Sequence, residues 1–296
     1  MVRTLAAGAL TVALTSIAAS PAVAASSTAA GLKKAKWGNN VTVTFSKTQI
    51  RLRSNGIPNH PRPAQYALPN AGAGNAIPTA ATATAGDDPT RAQSYDFQIP
   101  TTPTRAAKTT AAPLGSIGFM ISGAVLFNPY EGDGKTVAMA NNFTVKGADG
   151  TDVPFVDSCS GHPNPIGQYH YHALPACISA VVDGERGPSH ILGVAFDGYP
   201  IYGARDSKGR KVSVAKLDKC NGITSATPEF PKGIYHYVLP GTTDATSSIR
   251  CFRGKVGASL ITRMPAMGGG PPPGRPPAAA AATTVGVQSR LLCDLA

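Results

Sequence analysis

Charge is scarce in this chain: Asp, Glu, Lys and Arg make up 15% of its 296 residues, against 32 Gly and 26 Pro. So little charge beside so much turn chemistry argues against a helical bundle and points to a β-rich, loop-heavy fold. Cysteine is sparse as well, at five residues, too few for a disulfide scaffold. No Cys-x-x-Cys pair occurs, which disfavours a thiolate zinc site. Beyond the first 24 residues there is no run of about 18 apolar residues, so no membrane span is expected there. GxSxG, HExxH, GxxxxGK and GxGxxG are all missing, leaving serine hydrolase, zincin and nucleotide-binding readings without their usual support. Lys and Arg outnumber the acids to give a net charge of +11 but are scattered rather than run together, so nucleic-acid readout is not expected.

What is present begins at the amino terminus. Arg3, the apolar stretch from Leu5 to Ala19 and the small residues Ala22-Val23-Ala24 read as a secretory signal peptide over residues 1–24, with Ala25 opening the mature chain. An uncleaved anchor is the competing reading. The expected location is secreted or periplasmic, where cysteines are more readily paired than free. Closing local loops around the histidine motifs favours Cys159 with Cys177 and Cys220 with Cys251, although sequence does not fix connectivity; Cys293 is left over. An exported basic protein meets anionic or glycan polymers of the envelope, and a solvated surface without a designated partner is the simpler alternative. Oligomeric state has no signature here.

The pattern predicts one mainly β domain over residues 25–262, a β-rich sandwich or distorted barrel with long loops. Val41–Phe45, Ile50–Arg53, Tyr95–Ile99, Ile117–Phe127 and Ile191–Phe196 read as strands, the last two as buried ones. Residues 64–112 are rich in Ala, Thr, Pro and Gly and are expected to be largely loop. Residues 263–296 read as a low-complexity, disordered tail.

The most informative segment is Tyr169-His170-Tyr171-His172. On a strand, side chains alternate faces, so His170 and His172 share one face and the tyrosines the other. Only six histidines exist in the chain. His60, His162, His170, His172 and His236 all sit in turn-rich motifs, whereas His190 stands apart and reads as structural. Strand-borne histidines joined by others from loops are a common way to build a Zn or Cu site. The alternative is that these imidazoles simply hydrogen-bond loop carbonyls and tyrosines. Asp197, after a buried strand, is a candidate ligand partner or catalytic carboxylate, or else a turn cap. Tyr171 is a second catalytic candidate beside a redox-active copper. Asp218 is a weaker carboxylate candidate, and Arg253 could meet an anionic substrate or simply be a surface residue.

The chain also echoes itself. Cys159-Ser160-Gly161 leads to Tyr169-His170-Tyr171 and then Leu174-Pro175; Cys220-Asn221-Gly222 leads to Tyr235-His236-Tyr237 and then Leu239-Pro240. If the copies fold alike, His170 and His236 correspond, and three imidazoles could meet at one point.

These motifs resemble the exported proteins with a YHYH domain. The resemblance runs from about Val41 to Gly254 and rests on Ser54-Asn55-Gly56-Ile57-Pro58-Asn59-His60, Cys159-Ser160-Gly161-His162-Pro163, the tetrapeptide, the Leu192 to Gly203 segment, Leu217 to Gly222, and Cys251-Phe252-Arg253-Gly254. It implies that early and late segments share one domain and implies little about activity. Val238 stands where many relatives carry a further histidine, which puts a symmetric pair of sites in doubt. Two functions follow as expectations. One is an extracytoplasmic metal-binding protein in which His170, His172 and His236 hold Cu or Zn and His60 or His162 completes the shell. The other is a non-catalytic envelope or polysaccharide-binding module using Tyr199, Tyr202 and basic side chains.

Overall fold

Alternation of apolar and charged residues sets the first layer. In the strand Gln49–Ser54, Ile50 and Leu52 are fully buried while Arg51 and Arg53 face solvent, as a two-residue side-chain period requires. This strand pairs antiparallel with Thr42–Phe45 on one side and Tyr95–Pro100 on the other. Its apolar face packs on a larger sheet, where the Phe97 ring lies 5.8 Å from Phe119 and 4.8 Å from Phe196. The computed structural model describes residues 27–72 and 76–261. The expected signal peptide, the low-complexity tail and Cys293 lie outside the described residues.

The larger sheet has eight strands, in the spatial order Gly161–Pro163, Tyr169–Tyr171, Val125–Phe127, Ser116–Met120, Ile191–Ala195, Pro200–Tyr202, Ile234–Val238 and Gly222–Ser225. Its two end strands do not pair with each other, so the sheet is open and the barrel alternative is set aside in favour of a layered β fold. From the centre outwards its halves are alike. Each contains an antiparallel hairpin, a strand parallel to the second hairpin strand, and an antiparallel edge strand. The halves meet antiparallel, with Met120 opposite Gly193 and Gly118 opposite Ala195, the register of a local two-fold axis.

Each hairpin turns on a glycine with positive φ, Gly123 at 92° and Gly198 at 90°. A Cβ at Gly123 would clash with Asn40 and Ser54, and one at Gly198 with the Pro100 carbonyl, so only glycine serves at either turn. The segment Ile117–Phe127, expected to be one buried strand, is therefore a hairpin of Ser116–Met120 and Val125–Phe127.

Residues 64–112, expected to be largely loop with one strand at Tyr95–Ile99, hold more strand than that. They contain the strands Gln65–Pro69, Ala83–Asp87, Tyr95–Pro100 and Arg105–Ala111. The first two pair with each other and the last with Cys251–Gly254. Few of their side chains are fully buried, so partner-strand hydrogen bonds rather than an apolar stripe define them. The two favoured disulfides, Cys159–Cys177 and Cys220–Cys251, are both formed. Cys177 is held by the helix Ala176–Asp183, which starts after Pro175 and ends at Gly184, φ 65°. No helix among the described residues is long and apolar enough to cross a membrane.

Candidate metal centre

Strand register assembles three of the histidines. Tyr169–Tyr171 pairs antiparallel with Gly161–Pro163 so that His162 lies directly opposite His170, and directly opposed residues project from the same face. His172, two residues on, joins that face by alternation. The ring centroids lie 4.5 Å apart for His162 and His170, 4.8 Å for His170 and His172, and 5.4 Å for His162 and His172. One ring nitrogen from each falls within 4.8 Å of the others, and all three residues are buried.

The backbone decides the tautomers of two rings. His170 Nδ1 lies 3.1 Å from the Gln168 carbonyl oxygen, and His172 Nδ1 2.7 Å from that of Asn128. A carbonyl oxygen only accepts, so each Nδ1 carries the proton and each neutral ring leaves a bare lone pair on Nε2. These two Nε2 atoms face each other at 3.0 Å. His162 Nε2 is buried without a hydrogen-bond partner. A proton between the rings would charge one of them, and burial opposes that: it drives His162 and His170 well below the usual imidazole range and His172 to about 4. What remains is three neutral imidazoles with one ring nitrogen of each within 4.8 Å of the others, a donor set that could hold a metal ion. Two ligands about 2.05 Å from one ion at a tetrahedral angle stand about 3.3 Å apart, close to the separation here. Carbonyls that fix Nδ1–H while Nε2 faces a common point are the usual outer support of such a site.

Aromatic packing holds the rings in place. Phe127 stacks on His170 at 4.0 Å and 24°, and Phe155 lies 4.6 Å from His162. The three histidines line a cavity of about 410 Å³ whose wall includes Leu68, Ile77, Leu114, Tyr130 and Glu131. Glu131 is buried, its Oε1 has no partner, and burial, helped by Asp133, pushes its carboxyl up to about 7.

Not every expected site residue reaches this point. His60 lies on the tyrosine face, where Nε2 meets the Tyr171 hydroxyl at 2.7 Å and Nδ1 the Pro61 carbonyl at 2.8 Å. Its nearby cysteines, Cys159 and Cys177, are joined in a disulfide and offer no thiolate. Tyr171 also bonds Ser122 Oγ, at 2.9 Å, and points away from the three imidazoles. His236 takes the position equivalent to His170 in the other half of the sheet. Five strand spacings separate the two, about 24 Å, so the imidazoles of the two copies do not converge.

Asp197 also belongs to the second half. Fully buried, it accepts hydrogen bonds from the Tyr237 hydroxyl at 2.6 Å and from the Gly254 and Tyr199 amides, and burial pushes its carboxyl up to about 6. It stands where Ser122 stands in the first half, as a corner brace. His190 bonds Glu229 at 2.7 Å, consistent with a structural role. Tyr199 and Tyr202, expected on a polymer-binding face, are only 8% and 1% exposed and present no ring to a glycan.

Two acids are not marked by the sequence pattern, Asp157 and Glu131. Asp157 accepts from the Tyr66 and Tyr169 hydroxyls and from the Cys159 and Gly161 amides. Asp218 repeats this with Tyr235, Cys220 and Gly222. The repeat is therefore Asp-x-Cys-x-Gly, one element longer than its cysteine and glycine suggest. Glu131 sits in a turn-rich loop four residues beyond the buried strand Val125–Phe127, and an acid in such a place in a chain with few acids is a weak signal.

No curated protein and no solved structure matches the chain. The family match begins at residue 96 and leaves out the earlier part of the resemblance, from about Val41, which packs on the matched part through the pairing of Gln49–Ser54 with Tyr95–Pro100 and the His60 bond to Tyr171. The family model described as YHYH protein matches residues 96–212 and 206–254, more than half of the sequence and both copies of the Tyr-His-Tyr unit, and the chain belongs to that family.

Proposed function

We propose that this is an extracytoplasmic metal-binding protein in which His162, His170 and His172 hold Cu or Zn. One observation carries the reading: two imidazoles whose protons are committed to backbone carbonyls turn bare Nε2 lone pairs on each other at 3.0 Å inside the protein. Without a cation between them that contact is repulsive, and with one it is a ligand pair. Three neutral nitrogen donors suit either metal and leave a further coordination position toward the cavity. The two disulfides support an oxidising compartment.

The test is elemental analysis of protein purified without an affinity metal, beside a His170→Ala, His172→Ala variant. About one Cu or Zn per chain in the parent and none in the variant is expected. A parent that contains no metal and takes up neither ion when offered overturns the reading.

A second reading, binding of an anionic envelope polymer, draws on a different surface. Arg105, Lys108, Lys219 and Arg253 line one open cleft in which Asp218 is the lone acid. Retention on an immobilised polyanion that a Lys108→Glu, Lys219→Glu variant loses supports it; equal retention removes it.

A further inference from the structure

The cavity in front of the three histidines has an unusual wall. No lysine or arginine lines it among the described residues, and Leu68, Ile77, Leu114, Phe127 and Phe155 give it an apolar wall. Substrates bearing several negative charges need cationic contacts that this wall lacks. Its one carboxylate, Glu131, has 8% of its surface exposed and an Oε1 with no hydrogen-bond partner. An unpartnered buried acceptor is costly and is retained where a ligand supplies the missing donor. The turn Glu131–Thr136 holds it through the Glu131 amide on the Thr136 carbonyl and the Gly134 amide on the Glu131 carbonyl.

We propose that this cavity is the ligand pocket of the centre, that it takes a small uncharged molecule with an apolar body and an O–H or N–H group, and that Glu131 accepts that proton as the ligand's lone pair goes to the metal. The inference rests on the metal reading above. In the binding step the ligand's O–H or N–H bond breaks, the proton passes to the Glu131 carboxylate, and the freed electron pair forms the metal bond; nothing is oxidised or reduced. An anion has no proton to give and meets the charge of Glu131 instead.

Benzohydroxamic acid, acetohydroxamic acid and benzoate are the probes, titrated into the full chain loaded with Co²⁺ and followed by its visible absorption. Benzohydroxamic acid binds at least about tenfold tighter than acetohydroxamic acid, because the ring meets the apolar wall. Glu131→Gln keeps the cobalt content, weakens benzohydroxamic acid at least about tenfold, and strengthens benzoate. Glu131→Asp, which keeps the charge, keeps the parent's order of preference and guards against a folding defect. Equal affinity for the two hydroxamic acids, or parallel changes for both aromatic probes in Glu131→Gln, overturns the inference while leaving the centre intact. A parent that binds no cobalt, measured on the same samples, overturns the centre and the inference with it.

Discussion

His170 and His236 occupy the same position in two copies of one folded unit, yet only His170 has imidazole neighbours. Opposite His170 on the edge strand is His162; opposite His236 is Ile223. Two residues beyond His170 is His172, whose amide bonds the Ser160 carbonyl; two residues beyond His236 is Val238, whose amide bonds the Asn221 carbonyl. The second copy thus has the backbone of the centre without two of its three donors.

The double substitution Ile223→His, Val238→His is therefore expected to create a second centre. Gly203 follows Tyr202 as Asn128 follows Phe127, and it offers a backbone carbonyl in the position that fixes His172. Metal content should rise from about one to about two ions per chain. A folded variant that stays at one would separate backbone similarity from ligand geometry.

Ser160 and Asn221 are the non-glycine residues with positive φ among the described residues, at 63° and 69°, and they turn equivalent corners. Their side chains differ in what they hold. Asn221 donates to the Thr246 carbonyl and accepts from Arg250 Nε, whereas no side-chain bond holds Ser160 at its corner. Ser160→Gly should stabilise the protein by up to about 1 kcal/mol by relieving the left-handed conformation. Asn221→Gly should destabilise it by about 1 kcal/mol, because two bonds are lost. Chemical denaturation of both variants checks the opposite signs.

Acid should weaken the fold through its buried histidines. His236 is 5% exposed, and burial lowers it to about 4, against about 6.5 in an unfolded chain. Between those values the unfolded state binds the extra proton, so the stability is complete above about pH 6.5 and is lost as pH falls toward 4. The full effect is on the order of 3 kcal/mol for this one residue. His236→Asn should flatten the fall in unfolding free energy between pH 7 and 5, measured by urea titration in chelator, and an unchanged slope would remove His236 as a contributor.

Tyr171→Phe separates a bracing role from a redox one. The hydroxyl joins His60 to Ser122 on the face away from the centre. Its loss should cost about 1–2 kcal/mol of stability and leave metal content and the spectrum of the cobalt-loaded protein unchanged. A changed spectrum would link the tyrosine to the centre.

Local features are legible in the amino-acid pattern. The two-residue period placed His170 and His172 on one face and sent Tyr169 and Tyr171 to the other, because alternation follows from the pleat alone. Charge alternation marked Gln49–Ser54, and short loop closure favoured the disulfides that formed. It failed where a strand is defined by its partner, as between residues 64 and 112, since edge hydrogen bonds leave little trace in side-chain pattern. The internal echo was visible as spelling, but whether its histidines meet depended on strand order, and the order puts the copies at opposite ends of one sheet. Only the tertiary structure chose His162 over His236 and His60, through cross-strand register. It alone brought Glu131, in sequence an unremarkable loop acid, into the wall of the same cavity. Register and strand order are set by contacts between residues tens of positions apart, and a local pattern carries no record of them.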